Sequence, residues 1–293
     1  MQRSYWEQVV ADGYRVPQEA ALDDLTIDLV AMLSDPDPRA RDDIAYSVLE
    51  TWIAEGVYDN LLAGLGDGLA LGMREGLGQD STDSVFRRSY SAVALAAVVA
   101  RDNVTHSLHP SVVLTWADRA VGWYLAERDL RGWVPGKGWA HTVAHGADLL
   151  GTLTASRYLG VDELTVILDV IGDRLLSPTD HRFTHGEDDR LAFATMSLLH
   201  RDLVAADAVE SWLDRLGSAW ADPPQPGTPE PAVRANTTAY LRALHVQLLL
   251  GVQGTPSQDA RGGPGGPPSV RADVLIAIQR ALRAGGPWLY RQP

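Results

Sequence analysis

The chain has 293 residues and no cysteine, which excludes disulfides, thiol nucleophiles, iron–sulfur clusters and cysteine-based zinc sites. A formal charge of -13 and a pI near 4.9 argue against general binding to nucleic acid or anionic lipid, because both partners need a basic face. The first residues lack a signal-peptide pattern, and no apolar run reaches the roughly 18 residues of a membrane-spanning helix. We therefore expect a cytoplasmic protein with no nucleic-acid or membrane partner.

Apolar residues recur at helical spacing along nearly the whole chain, and the breaks fall at clusters of Gly, Pro and Asp. No strand is predicted. The predicted helices lie near residues 4–11, 17–33, 38–54, 59–74, 83–100, 110–128, 139–158, 162–175, 188–203, 207–220, 230–250 and 269–284. Short turns between most of them imply antiparallel neighbours.

The spacing of residues 37–49 resembles the second half of a HEAT repeat, and helix pairs at a period of roughly forty residues fit that interpretation. We predict an all-α fold in which antiparallel helix pairs form a HEAT-like array, an α-solenoid; a compact α/α toroid is the alternative. A single helical domain is expected at 1–250. A flexible Gly/Pro linker follows at 251–268, and a capping helix with a tail at 269–293.

An unusual polar segment, 131–148, lies where one predicted helix ends and the next begins. If the second helix begins at Trp139 or Ala140, then His141, His145 and Asp148 lie on one stripe at i, i+4 and i+7. This stripe is compatible with an acid/base or substrate-binding site, with a metal site, and with buried structural histidines.

The loop before this stripe supplies further candidates. Trp133 and Trp139 provide flat apolar walls, while Arg131 and Lys137 offer positive charge for a developing oxyanion. Lys137 is the one lysine among 25 basic residues. A lysine retained in such a chain suggests a need for a compact or titratable amine, and chance is the alternative.

A second polar run, 180–190, crosses from a loop into the next helix. We predict that it faces the first segment and contributes His185, Glu187 and Arg190, because a HEAT-like array places equivalent turns side by side.

Arginines elsewhere complete an anion-binding lining if they point inward. Arg87 and Arg88 lie near a predicted helix start, and Arg234 lies near Asn236 in the helix predicted at 230–250. Solvated side chains, or pairs with the many acids, are the alternative.

The run RGWVPGKGWAHTVAHGADLL at 131–150 resembles the signature of a bacterial family known as domain of unknown function 2785, and HGEDDRLAFA at 185–194 resembles its second motif. The resemblance extends from the region near residue 25 to that near 250. It implies a helical HEAT-like fold and no established activity. Related helical-repeat proteins serve as non-redox tailoring enzymes in natural-product pathways, which is a precedent by analogy.

These observations predict a helical-repeat protein that binds a small polar organic molecule and acts without a cofactor by acid/base catalysis, such as cyclisation, dehydration or hydrolysis, in bacterial secondary metabolism. The predicted catalytic residues are His141, His145, Asp148 and Lys137. The predicted substrate contacts are Arg131, Trp133, Trp139, His185, Glu187, Arg190, Arg87 and Arg88. Two alternatives stay open: a non-catalytic scaffold for a protein or peptide, and a hydrolase with a metal on His141, His145 and Asp148. No phosphate-loop or dinucleotide motif supports nucleotide-dependent or redox chemistry.

Overall fold

The computed structural model describes residues 1–220, 227, 229–252 and 266–290. Over these the regular structure is almost all helix, which confirms the all-α class. The α-helices are α1 Arg3–Ala11, α2 Leu22–Met32, α3 Ser47–Ala54, α4 Leu62–Gly72, α5 Ser84–Thr105, α6 Pro110–Ala126, α7 Thr142–Thr154, α8 Val161–Leu176, α9 Glu187–Leu199, α10 Ala206–Leu216, α11 Ala232–Leu250 and α12 Arg271–Gly285. Each predicted helix has a counterpart among them, with its ends shifted by a few residues. None of the helices in these described ranges is both long and apolar enough to cross a bilayer.

One helix has an unusual beginning. The helix predicted at 38–54 starts as a π-helix, Arg39–Tyr46, and continues as α3. π-Helical turns are rare and occur often at functional sites, because they turn side chains out of the regular helical register. Two side chains of this π-helix, Arg41 and Asp42, belong to the site described below.

A short hairpin corrects the prediction that the chain has no strand. Its strands are β1 Trp133–Val134 and β2 Gly138–Trp139, paired antiparallel. The Lys137 N–H donates to the Val134 carbonyl at 3.0 Å across the turn. Gly136 has a φ of 75°, as the third position of a type II turn requires.

The chain divides into two compact units, Met1–Leu149 and Leu150–Pro293. Their bounds differ from those of the predicted domain at 1–250. In the first unit α4 packs against α5 and α6, and α3 packs against α5; in the second, α9 packs against α11 and α10 against α12. Helices therefore pair within each unit, while the arrangement of the pairs as a HEAT-like array or a toroid stays a prediction.

The predicted linker at 251–268 falls largely outside the described residues, which stop at 252 and resume at 266. The helix predicted as a cap is α12, and it packs against α10 and α11 within the second unit.

Candidate functional site

The hairpin is fixed against α5 in the first unit by a small apolar cluster. Its buried members are Val85, Phe86, Val134 and Ala140. Gly138, with a φ of 77°, lies so close to the π-helix that an added Cβ would be 2.8 Å from Pro38 Cβ. Both the positive φ and this close approach require glycine at position 138.

Arg41 of the π-helix ties the hairpin to the N-terminal helices. Its side chain is fully buried and donates to the Lys137 carbonyl at 2.7 Å and to the Asp35 carbonyl at 2.8 Å. The guanidinium carbon lies 4.1 Å from the centre of the Phe86 ring, and Nε lies 2.8 Å from Asp42 Oδ1. Arg41 could not be identified from the sequence, because these contacts join segments far apart in the chain.

The start of α7 differs from the prediction. The helix begins at Thr142, so His141 precedes it with a φ of 53° and its carbonyl accepts the His145 N–H at 2.9 Å. The predicted helical stripe, which required a helix start at Trp139 or Ala140, is therefore wrong. The two imidazoles are nevertheless neighbours, with ring centres 5.6 Å apart. The Trp139 ring stacks on His141 at 4.5 Å and 18°.

Ser89 of α5 sets the proton position on His145. The Ser89 hydroxyl donates to the Ala140 carbonyl, and its oxygen lies 2.8 Å from His145 Nδ1. Because the carbonyl can only accept, the single serine hydrogen is used there, and Nδ1 must be the donor to Ser89. A neutral His145 therefore carries its lone pair on Nε2.

Tyr90 connects His145 to the π-helix. Its ring meets His145 edge to face at 5.1 Å, and its hydroxyl is hydrogen-bonded to Asp42. Burial raises the pKa of the Tyr90 hydroxyl, and the negative charge of Asp42 raises it further. Burial also raises the pKa of Asp42, while the Tyr90 hydrogen bond and Arg41 oppose that rise. The group that surrounds His145 thus extends to Asp42 and Arg41 through Tyr90.

The raised pKa of Asp42 predicts a distinct pH dependence of stability. A carboxyl whose pKa is higher in the folded state than in the unfolded state stabilises the fold most when protonated, and this contribution is lost as pH rises through the folded pKa. We expect the stability of the natural protein, relative to Asp42→Asn, to fall as pH rises from about 4, the ordinary carboxyl pKa, through the raised pKa of Asp42. Urea unfolding of both proteins across this range measures the difference.

Asp59 is the control, because the pH dependence of its contribution to stability should be opposite to that of Asp42. Its hydrogen bond to Arg101 lowers the pKa of the Asp59 carboxyl, so its contribution is present above the unfolded pKa and lost as pH falls. Relative to Asp59→Asn, the natural protein should gain stability as pH rises towards the ordinary carboxyl pKa of about 4 and stay level above it. A gain relative to Asp42→Asn as well would contradict the assignment.

Lys137 is engaged by a carboxylate. Its Nζ lies 2.6 and 2.7 Å from the two carboxylate oxygens of Asp83, and the side chain is 40% exposed. The side chain is therefore paired within the protein, and its predicted catalytic role stays a prediction. Lys137 contributes to the site through its backbone carbonyl, which Arg41 holds.

Arg131 and Arg88 are held by protein carboxylates. Arg131 Nε and Nη2 donate to the two oxygens of buried Asp129 at 2.8 and 2.6 Å. Arg88 Nε and Nη2 donate to Glu127 at 2.5 and 2.9 Å, and Arg88 is completely buried. The prediction that Arg88 contacts substrate is therefore wrong, since none of its surface is accessible.

Arg87, Trp133 and Asp148 have different surroundings. Arg87 is largely buried and donates to the Val30 carbonyl, so it serves the packing of α5 on α2. Trp133 is half exposed and meets Trp139 edge to face at 4.8 Å. Asp148 is half-buried in the second turn of α7. Its predicted role of orienting an imidazole stays a prediction.

The second polar run belongs to the second unit. Glu187 is fully buried, and its Oε2 accepts the His185 N–H at 2.7 Å. The His185 ring nitrogen Nδ1 lies 3.8 Å from the other carboxylate oxygen. Arg190 is exposed in the first turn of α9. The expected proximity of these residues to the 131–148 segment stays a prediction.

Residues 73–246 match the model of a family described as a protein of unknown function, DUF2785. The chain belongs to this family. The DUF2785 match includes both motifs at 131–150 and 185–194, whereas the expected extension back to residue 25 is not covered. Neither a curated protein nor a solved structure matches the chain.

The geometry also bears on the alternative of a metal site. Over the ranges that the structure describes, no group of three or more His, Cys, Asp or Glu side chains is arranged to hold a metal ion. His141, His145 and Asp148 therefore do not form the three-ligand set that the sequence suggested, because the late start of α7 takes His141 off the helical face.

Proposed function

We propose that this DUF2785 protein binds a small polar organic molecule beside His141 and His145 and transfers a proton with His145, as a non-redox enzyme. The observation that carries the proposal is the contact of 2.8 Å between Ser89 Oγ and His145 Nδ1. It directs the lone pair of the neutral imidazole to Nε2, and a general base needs such a lone pair in a fixed direction.

The second imidazole extends the chemistry. Dehydration and cyclisation need one group that removes a proton and another that returns one. His141 and His145 are both partly exposed, and their rings lie 5.6 Å apart. A ligand that touches both rings can therefore lose a proton to His145 and receive one from His141.

The rings around this pair are already ordered. Trp139 stacks on His141, and the edge-to-face contact with Tyr90 limits rotation of His145. Groups held in position before the substrate arrives lower the entropic part of the barrier. Such ordering is expected of a small-molecule site, and it is not expected of two histidines that merely lie near each other on the surface.

The test is proton transfer in deuterium oxide. We expect the protein to catalyse deuterium incorporation into, or conversion of, at least one member of a panel of hydroxy acids, keto acids and amides, followed by mass spectrometry. His145→Gln should lower that rate by at least about 100-fold, the usual contribution of a general base. His109→Gln is the control, because His109 is exposed and its ring only caps α6. Absence of any reaction, or equal rates in both variants, would contradict the proposal.

Ser89 acts as a positioning residue, and its test uses the ring nitrogens. In the natural protein, nitrogen-15 NMR should find the proton of neutral His145 on Nδ1, and Ser89→Ala should shift it towards Nε2 while also lowering turnover. The control is Ser91→Ala, since the buried Ser91 hydroxyl has no hydrogen-bond partner among the described residues. A natural protein with its proton on Nε2 would remove His145 from the role of base.

A further inference from the structure

A cavity of about 340 Å³ opens within the second unit. Its floor is one face of α11, one wall is the loop at 182–184, and another is the end of α12 with the residues that follow it. The side chains that matter for recognition are Arg182, Arg234, Arg242, Trp220, Trp288 and Tyr290. The α12 side of the cavity, 282–290, lies beyond the matched family range of 73–246.

Asn236 of α11 builds the loop wall. The residue is 3% exposed, and its Oδ1 accepts the Phe183 N–H at 2.9 Å while its Nδ2 donates to the His181 carbonyl at 3.0 Å. Ala235 and Ala239 lie one turn apart on the floor. The small side chains leave space above α11 that the fixed loop does not fill.

The lining is positively charged in an acidic protein. It contains three arginines and one glutamate, Glu230, so the described lining residues carry three positive charges against one negative, while the whole chain carries -13. Arg234 Nε pairs with Glu230 Oε1 at 3.1 Å. Arg182 donates to the Glu230 backbone carbonyl, and among the described residues no carboxylate forms an ion pair with it.

Arg242 offers its guanidinium most openly. The residue is exposed, and within the described part of the chain its polar contact is a donation from Nη2 to the Tyr290 hydroxyl at 3.3 Å. A phenol is neutral, so this contact does not balance the charge. A guanidinium has five N–H donors in a planar fork that matches a carboxylate.

Aromatic rings stand beside these charges. Trp288 is 84% exposed at the cavity, and Tyr290 and Trp220 also line it. Flat rings next to arginines select a ligand that is itself flat and anionic, because its ring stacks while its charge pairs.

We propose that this cavity binds a small aromatic carboxylate, with the carboxylate on Arg242 and the ring against Trp288 and Tyr290. The site is independent of the histidine pair, which belongs to the first unit. The ring contributes stacking and apolar burial, and the charge contributes a bidentate hydrogen-bonded pair. A site for a simple anion would not need the aromatic rings, and a site for a neutral aromatic ligand would not need the arginines.

Isothermal titration calorimetry of the full chain with three probes tests both components: naphthoate, its neutral analogue naphthamide, and inorganic phosphate. We expect naphthoate to bind at least about tenfold more tightly than either of the others, as one charged hydrogen-bonded pair implies. Arg242→Gln should bring the dissociation constant of naphthoate to that of naphthamide. Trp288→Ala should weaken binding of both aromatic probes and leave phosphate unchanged.

Arg280→Gln is the matched control. Arg280 is an exposed arginine of α12 that does not line the cavity, and it pairs with Asp214 at 3.0 Å. It should leave all three dissociation constants unchanged, and circular dichroism should find every variant folded. Equal affinities for naphthoate and naphthamide, phosphate binding as tight as that of naphthoate, or no binding of the aromatic probes would each overturn the proposal. An Arg242→Gln protein that binds naphthoate like the natural chain would do the same.

Discussion

Replacement of Arg88 by methionine is expected to lower the free energy of unfolding by about 3–5 kcal/mol, the usual cost of leaving one member of a buried ion pair alone. Arg88 is completely buried in α5 and binds both carboxylate oxygens of Glu127, which is itself buried. Its Nη1 also donates to the carbonyls of Glu75 and Gly76, at 3.1 and 3.0 Å. Methionine fills a similar volume but leaves the Glu127 charge without a counter-ion and two carbonyls without their donor.

Urea unfolding followed by far-UV circular dichroism measures this loss. Arg101→Met is the control on the same helix, because Arg101 binds Asp59 in the same bidentate way but closer to solvent. Its expected cost is clearly smaller, because solvent screens this pair. Adding Glu127→Gln to the Arg88 variant should restore part of the stability, since the amide carries no charge. The restoration should be incomplete, because one amide oxygen cannot accept both from the Trp123 indole N–H and from the backbone N–H groups of Arg128 and Asp129. Equal losses in Arg88→Met and Arg101→Met would refute the argument.

Helix ends were predictable where their signals are local. α6 begins at Pro110 as expected, where proline needs no N–H partner and the His109 ring accepts the Ser111 N–H. α9 begins with Glu187, Asp188 and Asp189 in its first turn, where negative charge is favourable. Neither feature depends on distant parts of the chain, so the sequence alone suffices.

The hairpin and the start of α7 combine a local turn with a distant contact. The Ala140 N–H donates to the Gly132 carbonyl within the hairpin at 2.8 Å, and Arg41 reaches the same loop from 96 residues away. Pro135-Gly136 is a turn signal in its own right, but the apolar spacing around it suggested an early helix. A prediction that weighed this turn before the periodicity would have moved the helix start past His141.

Two side chains that contact His145 could not be found from the sequence, because the orientation of residues around α5 is not visible there. The charge of Arg87 and Arg88 made them candidates, yet Ser89 and Tyr90, the next residues of α5, contact His145. Successive helical residues point about 100° apart, and α5 is buried on most sides. Amphipathic periodicity therefore does not reveal which of its side chains faces the histidines.

Arg41→Met is expected to cost about 3 kcal/mol of unfolding free energy, because a fully buried guanidinium is lost and two partly buried carbonyls lose their donor at about 1–3 kcal/mol each. Those carbonyls belong to Asp35 and Lys137. Arg39→Met is the matched control from the same π-helix. Arg39 is mostly exposed and pairs with Glu7 at 3.1 Å, so its removal should change stability by less than about 0.5 kcal/mol.

The stability lost in Arg41→Met should be confined mainly to the hairpin. This distinguishes a local role of Arg41 from a general destabilisation of the first unit. Arg41 holds the hairpin through Lys137 and lies over the Tyr90 ring at 4.8 Å, and that ring contacts His145. Amide hydrogen exchange in Arg41→Met should therefore accelerate at least about tenfold more in residues 131–141 than in the middle of α5. A segment that loses its own contacts can open locally while the rest of the unit stays folded. Arg41→Lys should give an intermediate result, since one ammonium lacks the planar fork that spans two carbonyls. Uniform acceleration in both segments would mean that Arg41 supports the first unit as a whole rather than the hairpin that carries Trp139 to His141.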